Sequence, residues 1–268
     1  MLALALEGAF AQQQNLLADF SRKGSSMTEA NVAKDSLIVD RLSARLGDFQ
    51  LHEISFKLEP GQVTALLGHN GAGKTTTLRL IMGIVRKDSG LVSLGSFDHQ
   101  LDEKEFKRRI GFVQEESFFY SGMTIAELVA FVSSFYCDWN EDLSQRLLQM
   151  LDLPRDKKLG QLSKGMRTKV GLVVALSHQP SVLLLDEPTS GLDPRAKAEA
   201  LRLLQRVAHD DATAVLFSTH NLHEVDQIAD RVIIVDRGRV LANEGLSSLR
   251  SQNAKSWNLE QYYLELVS

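Results

Sequence analysis

Gly68-His69-Asn70-Gly71-Ala72-Gly73-Lys74-Thr75 limits what this chain can fold into more than any other stretch. It follows an apolar run, Val63 to Leu67, and opens a helix-like segment, Thr76 to Gly83. Glycines at this spacing let backbone N–H groups converge, and the amino end of a helix adds the positive end of its dipole. Strand, glycine loop and helix in that order make a phosphate-binding cradle. Within it Lys74 reaches the outer phosphates and the Thr75 hydroxyl ligates Mg²⁺. A glycine-rich turn without a ligand is the plainer alternative, and the flanking strand and helix patterns argue against it.

Composition removes other classes. The chain has 268 residues, 34 acidic against 30 basic side chains and a net charge of −4, so no broad positive field gathers nucleic acid or anionic lipid. Cys137 is the single cysteine, which excludes a disulfide scaffold and a Cys-rich zinc site and fits a reducing compartment. The longest apolar runs, such as Leu2 to Leu6 and Val182 to Leu185, fall far short of the roughly 18 residues that span a bilayer. No direct membrane insertion is expected.

Residues 1–34 read as an N-terminal tail. Met1 to Ala11 is apolar but lacks the basic flank of a secretory signal, and Met27 is a candidate start. From Ser36 onward, short apolar runs alternate with helix-like segments, the pattern of an α/β domain with a largely parallel sheet. Val63 to Leu67, Ile110 to Val113, Val182 to Leu185, Ala214 to Phe217 and Val232 to Val235 are the strand candidates. Their near-continuous hydrophobicity predicts burial on both faces. Between Gln114 and Leu162 the rhythm gives way to a helical insertion, whose first helix starts with a capping box at Thr124 and Glu127.

Further motifs cluster in the second half. Val182 to Leu185 runs into Asp186-Glu187, two carboxylates at the carboxyl end of a strand, where open parallel sheets place their ligands. There Asp186 faces the phosphates and holds Mg²⁺, and Glu187 orients and deprotonates an attacking water. Taken alone, the pair also fits a solvated loop start. Gln161-Leu162-Ser163-Lys164-Gly165-Met166 precedes a helical run and taken alone is an ordinary helix start capped by Ser163. Asp193-Pro194 similarly fits an N-cap with proline at the first helical position. His220 and His223 share a helical face, but no third residue completes a metal site.

Together with Ser190-Gly191-Leu192-Asp193 and the strand-terminal His220, these motifs resemble the ATP-binding cassette (ABC) ATPases over residues 36 to 245. The resemblance implies a P-loop NTPase-type core with a mostly parallel sheet flanked by helices and an antiparallel β part near the N-terminus. It places a helical subdomain at about 115–165, the ATPase domain at 35–245 and a short C-terminal extension at 246–268. ATP and Mg²⁺ are the implied cofactors. Gly68, Asn70, Gly71, Ala72, Gly73, Lys74, Thr75 and Thr76 are the implied nucleotide contacts, and Thr75, Gln114 and Asp186 the metal contacts. Glu187, His220 and Gln114 are the implied catalytic group. Two such domains face head to tail in the family, so Ser163, Gly165 and Asp193 are expected to reach a second ATPase subunit's nucleotide, whether the pair is identical or not.

The chain departs from the family pattern in places. Lys164 and Met166 stand where Leu-Ser-Gly-Gly-Gln has glycine and glutamine; Lys164 either adds positive charge near the phosphate or points into water, with water the favoured direction and the contact left open. Leu46 occupies the place of the aromatic residue on which adenine stacks, which leaves the base to Leu46 or to Phe49. The job implied is an ATP-hydrolysing transporter subunit, cytoplasmic and held at the inner face of the membrane through a separate integral permease. The Ser-Lys-Gly-Met variant and the ending Leu259 to Leu266 resemble exporter subunits. Glu115 to Tyr120 is the candidate permease-docking loop. A non-transport ABC ATPase, ribosome-associated or chromosome-maintenance in type, is the alternative. Residues 36 to 245 contain neither the second cassette nor the long coiled coil of those types.

Overall fold

A computed structural model describes residues 35–115, 119–252 and 258–267. The expectations for residues 1–34 and for Glu116 to Phe118 of the candidate docking loop lie outside the described residues.

The amino-terminal third begins with two long strands, β1 (Leu37–Leu46) and β2 (Phe49–Leu58), then β3 (Val63–Leu67) and helix α1 (Lys74–Ile81). There follow β4 (Ser89–Leu94), β5 (Phe97–Asp98), α2 (Glu103–Arg108) and β6 (Ile110–Val113). Helices α3 (Ile125–Ser133) and α4 (Glu141–Met150) precede the long α5 (Lys164–Ser177). The remainder alternates β7 (Val182–Asp186), α6 (Pro194–His209), β8 (Ala214–Thr219), α7 (Leu222–Ile228), β9 (Arg231–Asp236), β10 (Arg239–Gly245), α8 (Leu246–Gln252) and α9 (Leu259–Val267). No helix among the described residues is long and apolar enough to cross a membrane.

Two sheets result. The first is antiparallel with order β2-β1-β4-β5, and the second has order β10-β9-β3-β8-β7-β6. In the second, β9, β3, β8, β7 and β6 run parallel, and β10 closes one edge antiparallel to β9. All five expected strands form, with small extensions: β7 takes in Asp186, β8 reaches Thr219, and β9 runs from Arg231 to Asp236.

The unbroken apolar runs have a direct cause, because alternate residues of each strand enter different cores. Leu183, Leu185, Val215, Phe217, Val232 and Ile234 pack with the helical insertion, α5 and α6. Leu184, Leu216, Ile233 and Val235 pack with α1, α2 and the antiparallel sheet. Fully buring a side chain of this size contributes about 1.5–3 kcal/mol, so the central strands anchor both layers. The insertion begins as expected: the Thr124 hydroxyl accepts from Glu127 N–H at 3.2 Å, and Glu127 Oε2 accepts from Thr124 N–H at 2.8 Å.

Candidate functional site

Register brings the motifs to one edge. Leu67 pairs with Thr219, Asp186 with Ser218 and Val113 with Leu185, so the carboxyl ends of β3, β8, β7 and β6 align. Gly68, His220, Glu187 and Gln114 are the residues that directly follow those ends. Neighbouring strands lie about 4.8 Å apart, which is close enough for side chains from adjacent ends to touch.

The glycine loop is held tightly. Gly68 N–H donates to Thr219 O at 3.3 Å, and Gly238 N–H donates to Ala72 O at 2.9 Å. A Cβ on Gly68 would lie 2.4 Å from the Val235 carbonyl oxygen, so only glycine lets the loop pass β9. Gly73 caps α1 at φ 111°, a left-handed conformation that favours glycine. Lys74, buried, donates from Nζ to Gly68 O at 2.8 Å and to His69 O at 3.2 Å, and its ammonium lies 3.3 Å from Glu187 Oε1. Glu187 in turn sits 3.1 Å from His220 Nδ1 through both carboxylate oxygens.

Beside this cluster Thr75 Oγ1 donates to Asp186 Oδ1 at 3.0 Å, and Ser218 Oγ donates to the same oxygen at 2.7 Å. Ser218 Oγ also accepts from Glu187 N–H at 2.9 Å, which ties both carboxylate residues to β8. A hydroxyl next to a carboxylate is the hard oxygen donor set that Mg²⁺ takes, so these residues fit the ion. Gln114 is half-buried at the end of β6.

A cavity of about 660 Å³ opens over the cluster, within the size range of small-molecule sites. Asn70, Gly71, Gly73, Lys74, Thr75, Thr76, Glu187 and His220 line it, all of them expected from the motifs. Leu46 and Phe49 both line it too, so the aliphatic and the aromatic candidate for the base share one wall. Glu115 and Ser190 complete the lining. Neither was among the expected contacts, although Glu115 directly follows Gln114 and Ser190 opens the Ser190-Gly191-Leu192-Asp193 motif.

Gly68, Ala72, Gln114 and Asp186, also expected at the site, are not part of the lining, and neither are Ser163, Gly165 and Asp193. Ser163 caps α5, accepting from Met166 N–H at 3.2 Å. Asp193 caps α6, accepting from the N–H groups of Arg195 and Ala196, each at 3.0 Å. Those backbone donors, the Ala196 N–H foremost, hold the Asp193 carboxyl below the usual carboxylate range.

Lys164 is exposed, as expected, and its ammonium also finds partners on the protein. Its Nζ lies 2.8 Å from Glu115 Oε1 and donates to Ser190 Oγ at 2.9 Å, linking the start of α5 to two segments of the cavity wall. The hydrogen bond from Lys164 is the main cause that lowers the Glu115 carboxyl below its ordinary range. The partner is remote in sequence but adjacent in space: Glu115 lies 49 positions before Lys164, so sequence spacing does not show it beside the lysine.

The profile of the family described as ABC transporter matches residues 51–190, and an AAA domain profile matches residues 155–226. The ABC transporter ATP-binding protein YdbJ of Bacillus subtilis (strain 168) is 32% identical over 228 residues, covering 84% of this chain and 74% of YdbJ. The bacitracin transport ATP-binding protein BcrA of Bacillus licheniformis is 32% identical over 204 residues, covering 75% of this chain and 67% of BcrA. The sulfate/thiosulfate import ATP-binding protein cysA of Cucumis sativus is 38% identical over 216 residues, covering 76% of this chain and 61% of that protein. Among solved structures, an ATP binding subunit of an ABC transporter superposes with a TM-score of 0.79 at 28% identity, covering 87% of this chain and 99% of that one. Agreement in sequence and in fold across the cassette makes the chain a member of the ABC transporter family, its ATP-binding ATPase subunit.

Proposed function

We propose that the Glu187, His220 and Lys74 cluster is where this subunit hydrolyses ATP, and that the energy drives a separate integral membrane permease, in the direction of export. As an ABC transporter subunit the chain partners with membrane permease components. The observation that carries the site is the convergence of Glu187 with His220 at 3.1 Å and with Lys74 at 3.3 Å on the floor of one cavity.

Each residue then has a task. The loop amides and Lys74 bind the β- and γ-phosphates, and the amino end of α1 favours their charge. Thr75 and Asp186, with Gln114, would hold Mg²⁺, which neutralises charge on the phosphate oxygens when bound. Glu187 accepts a proton from a water in line with the γ-phosphate; the new P–O bond forms as the bond to ADP breaks. His220 keeps the Glu187 carboxylate in place and turned toward that water. Leu46 and Phe49 pack on the base. Ser163, Gly165 and Asp193, absent from the cavity lining, serve the nucleotide of a second ATPase subunit across a head-to-tail interface. The protein is thereby peripheral on the cytoplasmic face of the membrane.

Export is supported by the Ser163-Lys164-Gly165-Met166 variant and by the bacitracin transport relative. The sulfate/thiosulfate import relative marks the opposing outcome. Two measurements test the proposal. Glu187→Gln is expected to keep ATP binding and lose turnover by about 10²-fold or more, the usual effect of removing a general base. Turnover within a few-fold of wild type would remove Glu187 from the reaction. Purification in detergent with the permease, followed by ATP-driven movement of cargo in vesicles, decides the direction; net movement of cargo toward the side bearing this subunit would mean import.

A further inference from the structure

Below the two segments that carry Glu187 and His220 lies an acid with no part in the reaction as written. Glu224, on α7, is 2% exposed. Its Oε1 accepts from Thr189 Oγ1 at 2.7 Å and its Oε2 accepts from Thr219 Oγ1 at 2.7 Å. Lys197 of α6 forms an ion pair with Oε1. A carboxylate this deep in protein is stable only when it is paired and hydrogen-bonded, so all three contacts are required of the fold.

Where the contacts come from gives them meaning. Thr189 lies two residues beyond Glu187, and Thr219 directly precedes His220. Thr219 Oγ1 also accepts from Asn221 N–H at 3.0 Å, so the same hydroxyl fixes the backbone on both sides of His220. Glu187 itself has φ 46°, a left-handed conformation that a residue with a Cβ holds only when its surroundings impose it. Ser218 constrains that backbone from one side, through Glu187 N–H, and Thr189 from the other.

We propose that Glu224 is a positioning residue: one buried carboxylate clasps the segment after Glu187 to the segment before His220 and so sets the distance between the two. Lys197 pairs with the same carboxylate and so ties the clasp to α6. This inference rests on the assignment of Glu187 and His220 to ATP hydrolysis. Their alignment is then set by a group that is buried and does not line the cavity.

The test is single-turnover hydrolysis of Mg-ATP by the full-length chain, with ATP binding and melting temperature measured in parallel. Glu224→Gln is expected to lower the hydrolysis rate by about tenfold or more while ATP affinity stays within about twofold, the pattern of lost alignment without lost binding. Thr219→Val keeps the shape and removes the hydroxyl, and is expected to reproduce the loss. Thr219→Ser keeps the hydroxyl and is expected to restore most of the rate, which keeps the test valid if Glu224→Gln folds poorly. Because Glu224 acts through Glu187, its replacement in the Glu187→Gln background should cost almost nothing further. A wild-type rate in Glu224→Gln, equal rates in Thr219→Ser and Thr219→Val, or a full additional loss in the Glu187→Gln background would each overturn the proposal. If Glu187→Gln alone hydrolyses normally, the assignment of the site fails first. If Glu187→Gln is slow while Glu224→Gln is fast, only the clasp fails.

Discussion

Lys164 illustrates how much weight a single contact carries. It joins the amino end of α5 to Glu115 and Ser190, both in the wall of the phosphate cavity, and is the one departure from the family's signature whose side chain reaches that wall. Its contribution to stability is nonetheless small. Lys164 and Glu115 are 44% and 40% exposed, and ion pairs so open to water contribute about 0–1 kcal/mol. Lys164→Met and Glu115→Gln are each expected to cost less than about 1 kcal/mol in urea denaturation. The double variant should be no less stable than the weaker single one, since each change removes the same interaction. Losses that simply add would show that the two ends do not interact. The sign with pH follows from the lowered Glu115 carboxyl: the contribution is present above the ordinary carboxylate range and fades as pH falls through the depressed value.

Among the elements, α6 separates two tasks assigned to one side chain. Asp193 caps it through the Arg195 and Ala196 amides, with Pro194 in the first helical position. A cap needs an oxygen acceptor and not a charge, whereas a contact across a subunit interface near phosphates and Mg²⁺ depends on charge. Asp193→Ala is expected to lower the melting temperature by roughly 2–4 °C, while Asp193→Asn should leave it nearly unchanged. If Asp193→Asn also hydrolyses ATP at the wild-type rate, capping is its whole role; a slowed rate at unchanged melting temperature assigns it to the interface. The cap itself was legible in the sequence, as were the five parallel strands, because burial on both faces leaves continuous runs such as Val182 to Leu185. Glycine spacing likewise disclosed the phosphate loop. The partners of Lys164 and Glu224 were not legible, for Glu115 lies 49 positions before Lys164 and Thr189 lies 35 before Glu224. Strand order brings such residues together, and no local pattern records it. Glu224 also reads as an ordinary helix-surface acid, since α7 is short and the burial comes from elements remote in sequence, α6, β3 and β8 among them.

For the molecule as a whole, two buried histidines set how stability responds to acid. His178, at the carboxyl end of α5, is 5% exposed and stacks on Tyr136 with ring centroids 4.2 Å apart and planes 11° from parallel. Burial pushes its pKa from 6.5 down to about 4. His99, packed edge-on against Phe106, is lowered for the same reason. Burial favours the neutral form of each in the folded protein, and each is free to protonate once it unfolds. Well above pH 6.5 the two states bind the same number of protons at these sites, and neither site affects stability. As pH falls below that value the unfolded chain gains protons that the folded one refuses, so the fold weakens until His178 itself titrates near pH 4. For His178 alone the loss between pH 7 and pH 5 is about 2 kcal/mol. Urea denaturation at the two pH values should show it, and His178→Phe, which keeps an aromatic ring against Tyr136, should remove most of the difference. A variant whose stability falls with acid as steeply as the parent would show that His178 is solvated or already charged in the folded state, and would pass the acid sensitivity to His99 and the surface carboxylates.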